Sequence, residues 1–267
     1  MEAQDKQAEG MSEMELLNSE LLATVGHELR GPLASIKGYT ATLLRHERRL
    51  SREERHDFLV AIATASDRLE RIVDRLLKVS QFEAGTLTLE RAPVDLAHLL
   101  REAIMAAEQY TVQHVAGHFT FGLHLSMATN ISANDEQPVM ADPRLLREVL
   151  DNLLENAVHY SPQGGAIDVI ARPLEQAVEI CVCDHGLGIP SEHLNRIFEC
   201  FYRLDTRLIR EVNGLGLGLT ICKYIVELHG GVIWAESCPS GGSAFHVRLP
   251  MEEGPMNSIP LVAAGER

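Results

Sequence analysis

Leu50-Ser51-Arg52-Glu53-Glu54-Arg55-His56-Asp57-Phe58 ends one amphipathic helix and starts another. Ser51 and Glu54 stand three apart just before an apolar periodic run, the spacing at which a serine hydroxyl and a glutamate carboxylate satisfy each other's backbone amides. Upstream, Leu22, Leu29, Ile36, Leu43 and Leu50 recur every seven residues, with Leu33 and Leu44 widening the stripe. Residues 16–50 therefore read as a long helix whose seam pairs with other helices. Downstream, Phe58, Ile62, Ala65, Leu69, Ile72, Leu76 and Val79 alternate steps of four and three. Two seams joined by a short polar turn predict an antiparallel hairpin with arms roughly 45–50 Å long, at about 1.5 Å per residue. Such a hairpin cannot bury both stripes alone, and a symmetric dimer forming a four-helix bundle is the simplest way to cover them.

Composition changes after Ala84-Gly85, a helix stop. Beyond it, strand patterns at Thr86–Leu89, Phe119–Leu125 and Val139-Met140 alternate with a helix opened by Asp95. A stronger helix starts at Asp142-Pro143, acid as N-cap and proline in the first turn, and runs to about Tyr160, where Ser161-Pro162 stops it. Strands follow at Ala166–Ala171 and Ala177–Cys183, then helices near Ser191–Phe198 and Leu217–His229, then strands at Val232–Glu236 and Ala244–Leu249. This is an α+β layer with the helices on one sheet face. Four segments result: residues 1–15, an N-terminal segment; 16–84, the hairpin; 85–250, the α+β domain; and 251–267, a tail without periodicity that reads as disordered.

The 267 residues carry 24 Lys and Arg against 38 Asp and Glu, a formal charge of −14, and 45% are apolar. That is enough chain and core for two domains and excludes a fibrous or wholly disordered class. The acidic balance and the lack of a basic patch argue against a nucleic-acid partner. Five cysteines (Cys181, Cys183, Cys200, Cys222 and Cys238) with no CxxC pair suit free thiols in a reducing cytoplasm. The start, MEAQDKQAEG, lacks both the basic start and the apolar stretch that a signal peptide requires. The uncharged run Gln109–Asn134 is long enough to cross a bilayer, but its histidines and scattered glycines make it read as strands and turns, so no membrane span is expected.

Several residues suit chemistry. In Val25-Gly26-His27-Glu28-Leu29-Arg30-Gly31-Pro32-Leu33 two glycines and a proline weaken a helix, and Pro32 removes the amide that would bond the Glu28 carbonyl, which predicts a kink or hinge. His27 and Glu28 lie about 100° apart on that helix, and a lone histidine there also reads as solvent-facing. Asn152 and Asn156, four apart, share a helix face and offer amide oxygens to a hard cation or donors to phosphates, although solvent-facing asparagines read the same way. Asp184-His185-Gly186-Leu187-Gly188-Ile189-Pro190 puts a carboxylate at a strand end, where it can accept from an exocyclic amine. Asn213-Gly214-Leu215-Gly216-Leu217-Gly218-Leu219 opens a helix that continues to Lys223, an arrangement in which backbone amides can approach an anion. His114, His118 and His124 lack a thiol or carboxylate to complete a metal set. Cys181 and Cys183 read as buried core thiols.

Taken in order, these stretches resemble the catalytic core of the sensor histidine kinases of two-component systems, over roughly residues 16–250. His27-Glu28-Leu29-Arg30-Gly31-Pro32-Leu33 is similar to their phosphoacceptor box, Asn152–Tyr160 to their asparagine box and Asp184–Pro190 to their first glycine box. Ile197-Phe198-Glu199-Cys200-Phe201-Tyr202-Arg203 resembles the phenylalanine box, Asn213–Leu219 the second glycine box, and Gly241-Gly242-Ser243 the last and least specific glycine element. The resemblance implies a dimeric four-helix bundle followed by an α+β two-layer sandwich of the Bergerat ATPase type. The sequence has no GxxxxGK[ST] and so no Walker P-loop. The resemblance also implies ATP and Mg²⁺ as cofactors, a homodimer and a response regulator receiver domain as partners, an upstream sensor module or partner protein as the source of signal with residues 1–15 as the end of a signalling helix, and a cytoplasmic location.

By the same resemblance His27 is the phosphoacceptor, and Glu28 holds its other ring nitrogen and takes up the proton. Asn156 holds Mg²⁺, with Asn152 beside the phosphates. Arg203 reaches the γ-phosphate, and residues 205–212, with Arg207 and Arg210, form a mobile lid. His159, Tyr160, Asp184, Gly186, Gly188, Ile189, Gly214, Leu215, Gly216, Leu217, Gly218, Leu219 and Lys223 complete the nucleotide site. Three departures matter. Gly26 replaces a serine, and Gly31 replaces the side chain that orients water in dephosphorylation of the regulator, which implies weak phosphatase activity. His159 stands where a lysine is frequent, which implies modest ATP affinity. A catalytically silent ATP-binding scaffold is the alternative, and a Bergerat-fold serine kinase, which needs no histidine-bearing hairpin, ranks behind it.

Overall fold

The computed structural model describes residues 2–46, 49–115, 117–126, 139–204, 215–238 and 241–251, with backbone alone for residues 2–23 and 114. The chain forms two compact units, with the first boundary between Thr86 and Leu87. Helix α1 (Glu2–His46) and helix α2 (Arg52–Glu83) make the hairpin of the first unit. The capping box forms as its spacing requires: Ser51 Oγ accepts from the Glu54 amide at 3.1 Å, and the Ser51 amide donates to Glu54 Oε2 at 2.8 Å. Along α2 the seam buries Ala65, Ile72 and Val79, seven residues apart. On α1 the seam differs from the expected stripe: Leu33 and Leu44 are 56% and 77% exposed, whereas Glu28 and Pro32 are buried. A single hairpin covers only the α1 face turned to α2, and those two leucines lie outside it. Pro32 sits inside one continuous helix.

Beyond Thr86 the chain forms β1 (Ala92–Val94), α3 (Leu96–His114), β2 (Phe119–Leu125), β3 (Val139–Ala141), α4 (Pro143–His159), β4 (Gly165–Pro173), β5 (Ala177–Asp184), α5 (Gly218–Leu228), β6 (Val232–Ser237) and β7 (Ser243–Pro250). A five-stranded sheet runs in the order β2-β4-β5-β7-β6 with only the β2–β4 pair parallel, and β1 and β3 form a separate antiparallel ladder. The period of two puts Val178, Ile180 and Val182 on the inner face of β5, opposite Leu249, Val247 and Phe245 of β7. Helix α4 turns Leu146, Val149, Leu150, Leu153, Leu154, Ala157 and Val158 inward at helical spacing. Helix α5 adds Ile221, Ile225 and Val226, each fully buried.

Three expectations change. Thr86–Leu89 alternates but forms no strand; the pairing with β3 goes instead to Ala92-Pro93-Val94, because an edge ladder depends on a neighbour rather than on local pattern. Ser191–Phe198 is two single 3₁₀ turns, Ser191–His193 and Arg196–Phe198, since Pro190 leads into a stretch with no side-chain cap. Within the uncharged run, Gln109–His114 finishes α3 instead of forming strand and turn. Residues 127–134, the lid 205–212 with Arg207 and Arg210, Gly214 and the tail beyond Met251 lie outside the described residues. Among the described residues no helix is long and apolar enough to cross a membrane.

Candidate functional site

The end of the second unit that carries Asp184 is built on strand parity. Asp184 is the last residue of β5 and shares its inner face with Val178, Ile180 and Val182, so its carboxylate enters the core and is 2% exposed. Burial without partners would be costly, and three donors, one from the following turn and two from β7, supply them. Oδ1 accepts from the Gly186 amide at 2.9 Å and the Ser243 amide at 3.2 Å, and Oδ2 accepts from the Ser243 hydroxyl at 2.5 Å. Two glycines permit this crowding. A Cβ on Gly186 would lie 2.1 Å from the Tyr160 carbonyl oxygen, and one on Gly242, at φ 90°, would lie 2.0 Å from the Asp184 carbonyl oxygen.

The turn after Asp184 is tied to the end of α4. The Leu187 amide donates to the Tyr160 carbonyl at 3.0 Å, and Ser161 Oγ, buried beside Gly186, has no partner among the described residues. Asn152, buried, donates from its amide to the Glu148 carbonyl at 2.9 Å. Asn156, one turn on, is half-buried, and among the described residues its carboxamide has no hydrogen-bond partner. His159 and Tyr160 are half-buried at the helix end, Gly188 is half-buried, and Ile189 is buried with its carbonyl accepting from Ser237 Oγ. Tyr160, Asp184, Gly186 and Ile189 are thus brought to one end of the unit, with Ser243 added.

The remaining positions are placed as follows. Leu215 and Leu217 are buried, with Gly216 half-buried between them, and Gly218 opens α5, followed by half-buried Leu219. Lys223 is exposed and lies 3.9 Å from Glu227, one turn further along α5. Arg203 is exposed and follows Phe201, whose φ of 64° makes it the one non-glycine in the left-handed region among the described residues. For a bulky residue that conformation is costly, and such strain gathers at functional segments.

On α1, His27 is exposed while Glu28, about 100° round the helix, is buried. Glu28 Oε2 accepts from Arg68 Nη2 of α2 at 3.0 Å, and among the described residues no ion pair joins Glu28 to His27. This differs from the expected His27–Glu28 pairing, because the carboxylate has a guanidinium to neutralise it on the seam side. A Cβ at Gly26 or Gly31 would meet nothing within 4 Å, so packing requires neither glycine. Sequence reasoning missed two residues. Arg68 carried no signal beyond being a charge among seam positions, and Ser243 was visible only as the residue after Gly241-Gly242. Elsewhere, His124 Nε2 lies 2.9 Å from Asp168 Oδ1, and all five cysteines are free thiols.

Comparison with known proteins gives this geometry a context. Residues 17–85 match the His Kinase A (phospho-acceptor) domain, and residues 141–253 match the histidine kinase-, DNA gyrase B-, and HSP90-like ATPase. The circadian input-output histidine kinase CikA of Synechococcus elongatus is 37% identical over 232 residues, which are 86% of this chain and 30% of that protein. The chain spans 25% to 37% of the length of CikA, a KdpD sensor protein and the WalK sensor histidine kinase. Among solved structures, full-length ShkA in complex with AMPPNP aligns with a TM-score of 0.61 and 27% identity, over 86% of this chain and 45% of that one. Histidine kinase ThkA in complex with the response regulator protein TrrA aligns with a TM-score of 0.61 and 25% identity, over 92% and 66%.

Proposed function

Because the chain belongs to the sensor histidine kinases, as their phosphoacceptor hairpin followed by their ATPase domain, we propose that it phosphorylates His27 from ATP and passes the phosphoryl group to a response regulator aspartate. The observation that carries this reading is the exposed imidazole of His27 on a helix that turns Glu28 and Pro32, but not His27, inward. The neutral ring presents one nitrogen to the γ-phosphorus, and the proton on the other nitrogen needs a carboxylate acceptor, for which Glu28 is the neighbour in sequence. The work of the chain is mainly positioning and charge stabilisation.

In the ATPase domain Asp184 accepts from the exocyclic amine of adenine, a role suited to a carboxylate already fixed by three donors. The complex of ShkA with AMPPNP supports ATP binding by the chain. The backbone amides near Gly216 and Gly218 at the start of α5 and the guanidinium of Arg203 serve the phosphates. Mg²⁺ fits the donor set through Asn156, whose carboxamide oxygen has no partner among the described residues, and when bound it would neutralise phosphate charge. Ser161 Oγ, an orphaned hydroxyl beside the Asp184 turn, supplies a further polar group for a ligand.

The partner in phosphotransfer is a receiver domain, in line with the complex of ThkA with TrrA, and the hairpin assembles with a second copy of itself. Five free thiols suit a cytoplasmic setting. Incubation with γ-labelled ATP tests the reading. Acid-labile, base-stable label on the wild type that disappears in His27→Ala is expected, whereas nucleotide binding without any label would identify a silent scaffold.

A further inference from the structure

Glu28 occupies an unusual place for a group that has to take a proton from its neighbour. With Pro32 it forms the buried part of the α1 face turned to α2, and the α2 seam around Arg68 is apolar, with Ala65 one turn before and Ile72 one turn after. Within that seam the Glu28 side chain is 10% exposed and the Arg68 side chain 37%, their atoms 3.0 Å apart. A charged carboxylate stays in such a place only when paired, and Arg68 is the partner that keeps it there. General-base action requires instead that the carboxylate come within about 2.6–3.2 Å of the proton it removes, and His27 faces solvent on another side of the helix.

We infer that Arg68 is a positioning residue that latches Glu28 inside the hairpin, and that phosphorylation of His27 requires this ion pair to open. The inference rests on the kinase reading above. In the open state one imidazole nitrogen forms the bond to the γ-phosphorus, the P–O bond to ADP breaks with its electron pair remaining on ADP, and the proton of the other nitrogen moves to Glu28. In the latched state that last acceptor is engaged with Arg68, so the fraction of hairpins with a free carboxylate scales the rate. Any displacement of α2 against α1 that parts Arg68 from Glu28 therefore raises the rate without touching the nucleotide.

Single-turnover labelling of the whole chain with γ-labelled ATP decides the matter. Arg68→Met keeps the side-chain stem in an apolar seam and leaves the carboxylate without a cation there, so Glu28 moves toward solvent and His27. Its labelling rate is expected to rise by roughly threefold to tenfold with an unchanged KM for ATP. Arg68→Lys, which restores a cation, should be slower than Arg68→Met, and the gain should vanish when Glu28→Gln is combined with Arg68→Met. A merely structural role would not produce this rescue or the dependence on Glu28. A rate for Arg68→Met at or below wild type, in a protein of wild-type size by sedimentation, overturns the latch. If Arg68→Met does not assemble, Arg68→Gln, which keeps a polar side chain, is judged by the same criterion. A wild type that accepts no label overturns the kinase reading itself, an outcome distinct from an active wild type with an unaccelerated variant.

Discussion

Asp184 is a carboxylate whose position is fixed twice, by strand parity from below and by three donors from Gly186 and Ser243 around its oxygens. The same atoms that neutralise the cost of burying it also hold it still, as the proposed contact with an adenine amine requires. Asp184→Asn converts one oxygen into a donor, which faces either the Ser243 hydroxyl or the backbone amides at unfavourable geometry and offers adenine the wrong partner. A hydrogen bond to a charged group contributes about 1.5–3 kcal/mol, so nucleotide affinity should fall at least roughly tenfold. Ser243→Ala removes one donor and leaves the carboxylate charge, so its effect should be smaller, about 1 kcal/mol. Calorimetric titration with ADP measures both. An Asp184→Asn protein that binds ADP as tightly as wild type would remove Asp184 from the adenine contact.

At the scale of elements, α4 and α5 are joined at the N-terminus of α4 by one network. Asp142 caps α4 with Oδ1, accepting from the Arg144 and Leu145 amides at 3.0 and 3.3 Å, while Oδ2 accepts from the Glu90 amide at 3.1 Å. Burial raises the Asp142 pKa, but those three amides and the Arg144 guanidinium outweigh it and leave the group below the ordinary aspartate value. The Asp142 amide in turn donates to Nε2 of buried His229 at 2.9 Å, and His229 Nδ1 lies 2.7 Å from the Ile225 carbonyl. Those two bonds assign the neutral ring with its proton on Nδ1, because a protonated Nε2 would face a donor. Burial, foremost, lowers the His229 pKa, with Arg91 acting the same way and the Ile225 carbonyl and Asp142 opposing. A lowered folded-state pKa means that the unfolded chain binds the proton first. Stability is therefore present above the unfolded value of about 6.5 and is lost as pH falls from there toward the folded value. Urea unfolding at pH 7.5 and 5.5 should show this loss, and His229→Leu should be less stable at pH 7.5 by about 1–3 kcal/mol, with a shallower decline on acidification. An unchanged slope in His229→Leu would assign the acid sensitivity to another group.

At the scale of the whole molecule, what was legible in the sequence was whatever periodicity or short-range chemistry dictates. The capping box at Ser51–Glu54 and the seam of α2 are local, and they form as read. The Glu28–Arg68 pair joins residues 40 apart, and Asp184–Ser243 joins residues 59 apart, so neither spacing could reveal its contact. The second follows from the β5–β7 register, which sets Cys183 opposite Ala244 and is visible only once the sheet is assembled. Thr86–Leu89 misled for the opposite reason, since its alternation is real but no neighbour pairs with it. The same logic of missing neighbours applies to the hairpin. Leu33, Leu44, Leu59, Val60, Val73 and Leu77 are 42% to 77% exposed, and burying such side chains contributes about 1.5–3 kcal/mol each. Association of two hairpins is the way to cover them, and charge does not oppose it. Residues 16–84 hold 11 Lys and Arg and 10 Asp and Glu, so 11 − 10 = +1, and the acidic surplus behind the net −14 lies outside the hairpin. The protein should therefore sediment as a dimer with little dependence on salt, since apolar burial rather than screened repulsion governs it. Leu59→Glu combined with Leu77→Glu places carboxylates in that interface and should shift the chain to monomer at micromolar concentration. A double variant that stays dimeric, or a wild-type dimer that dissociates when salt is lowered, would place the interface on another surface.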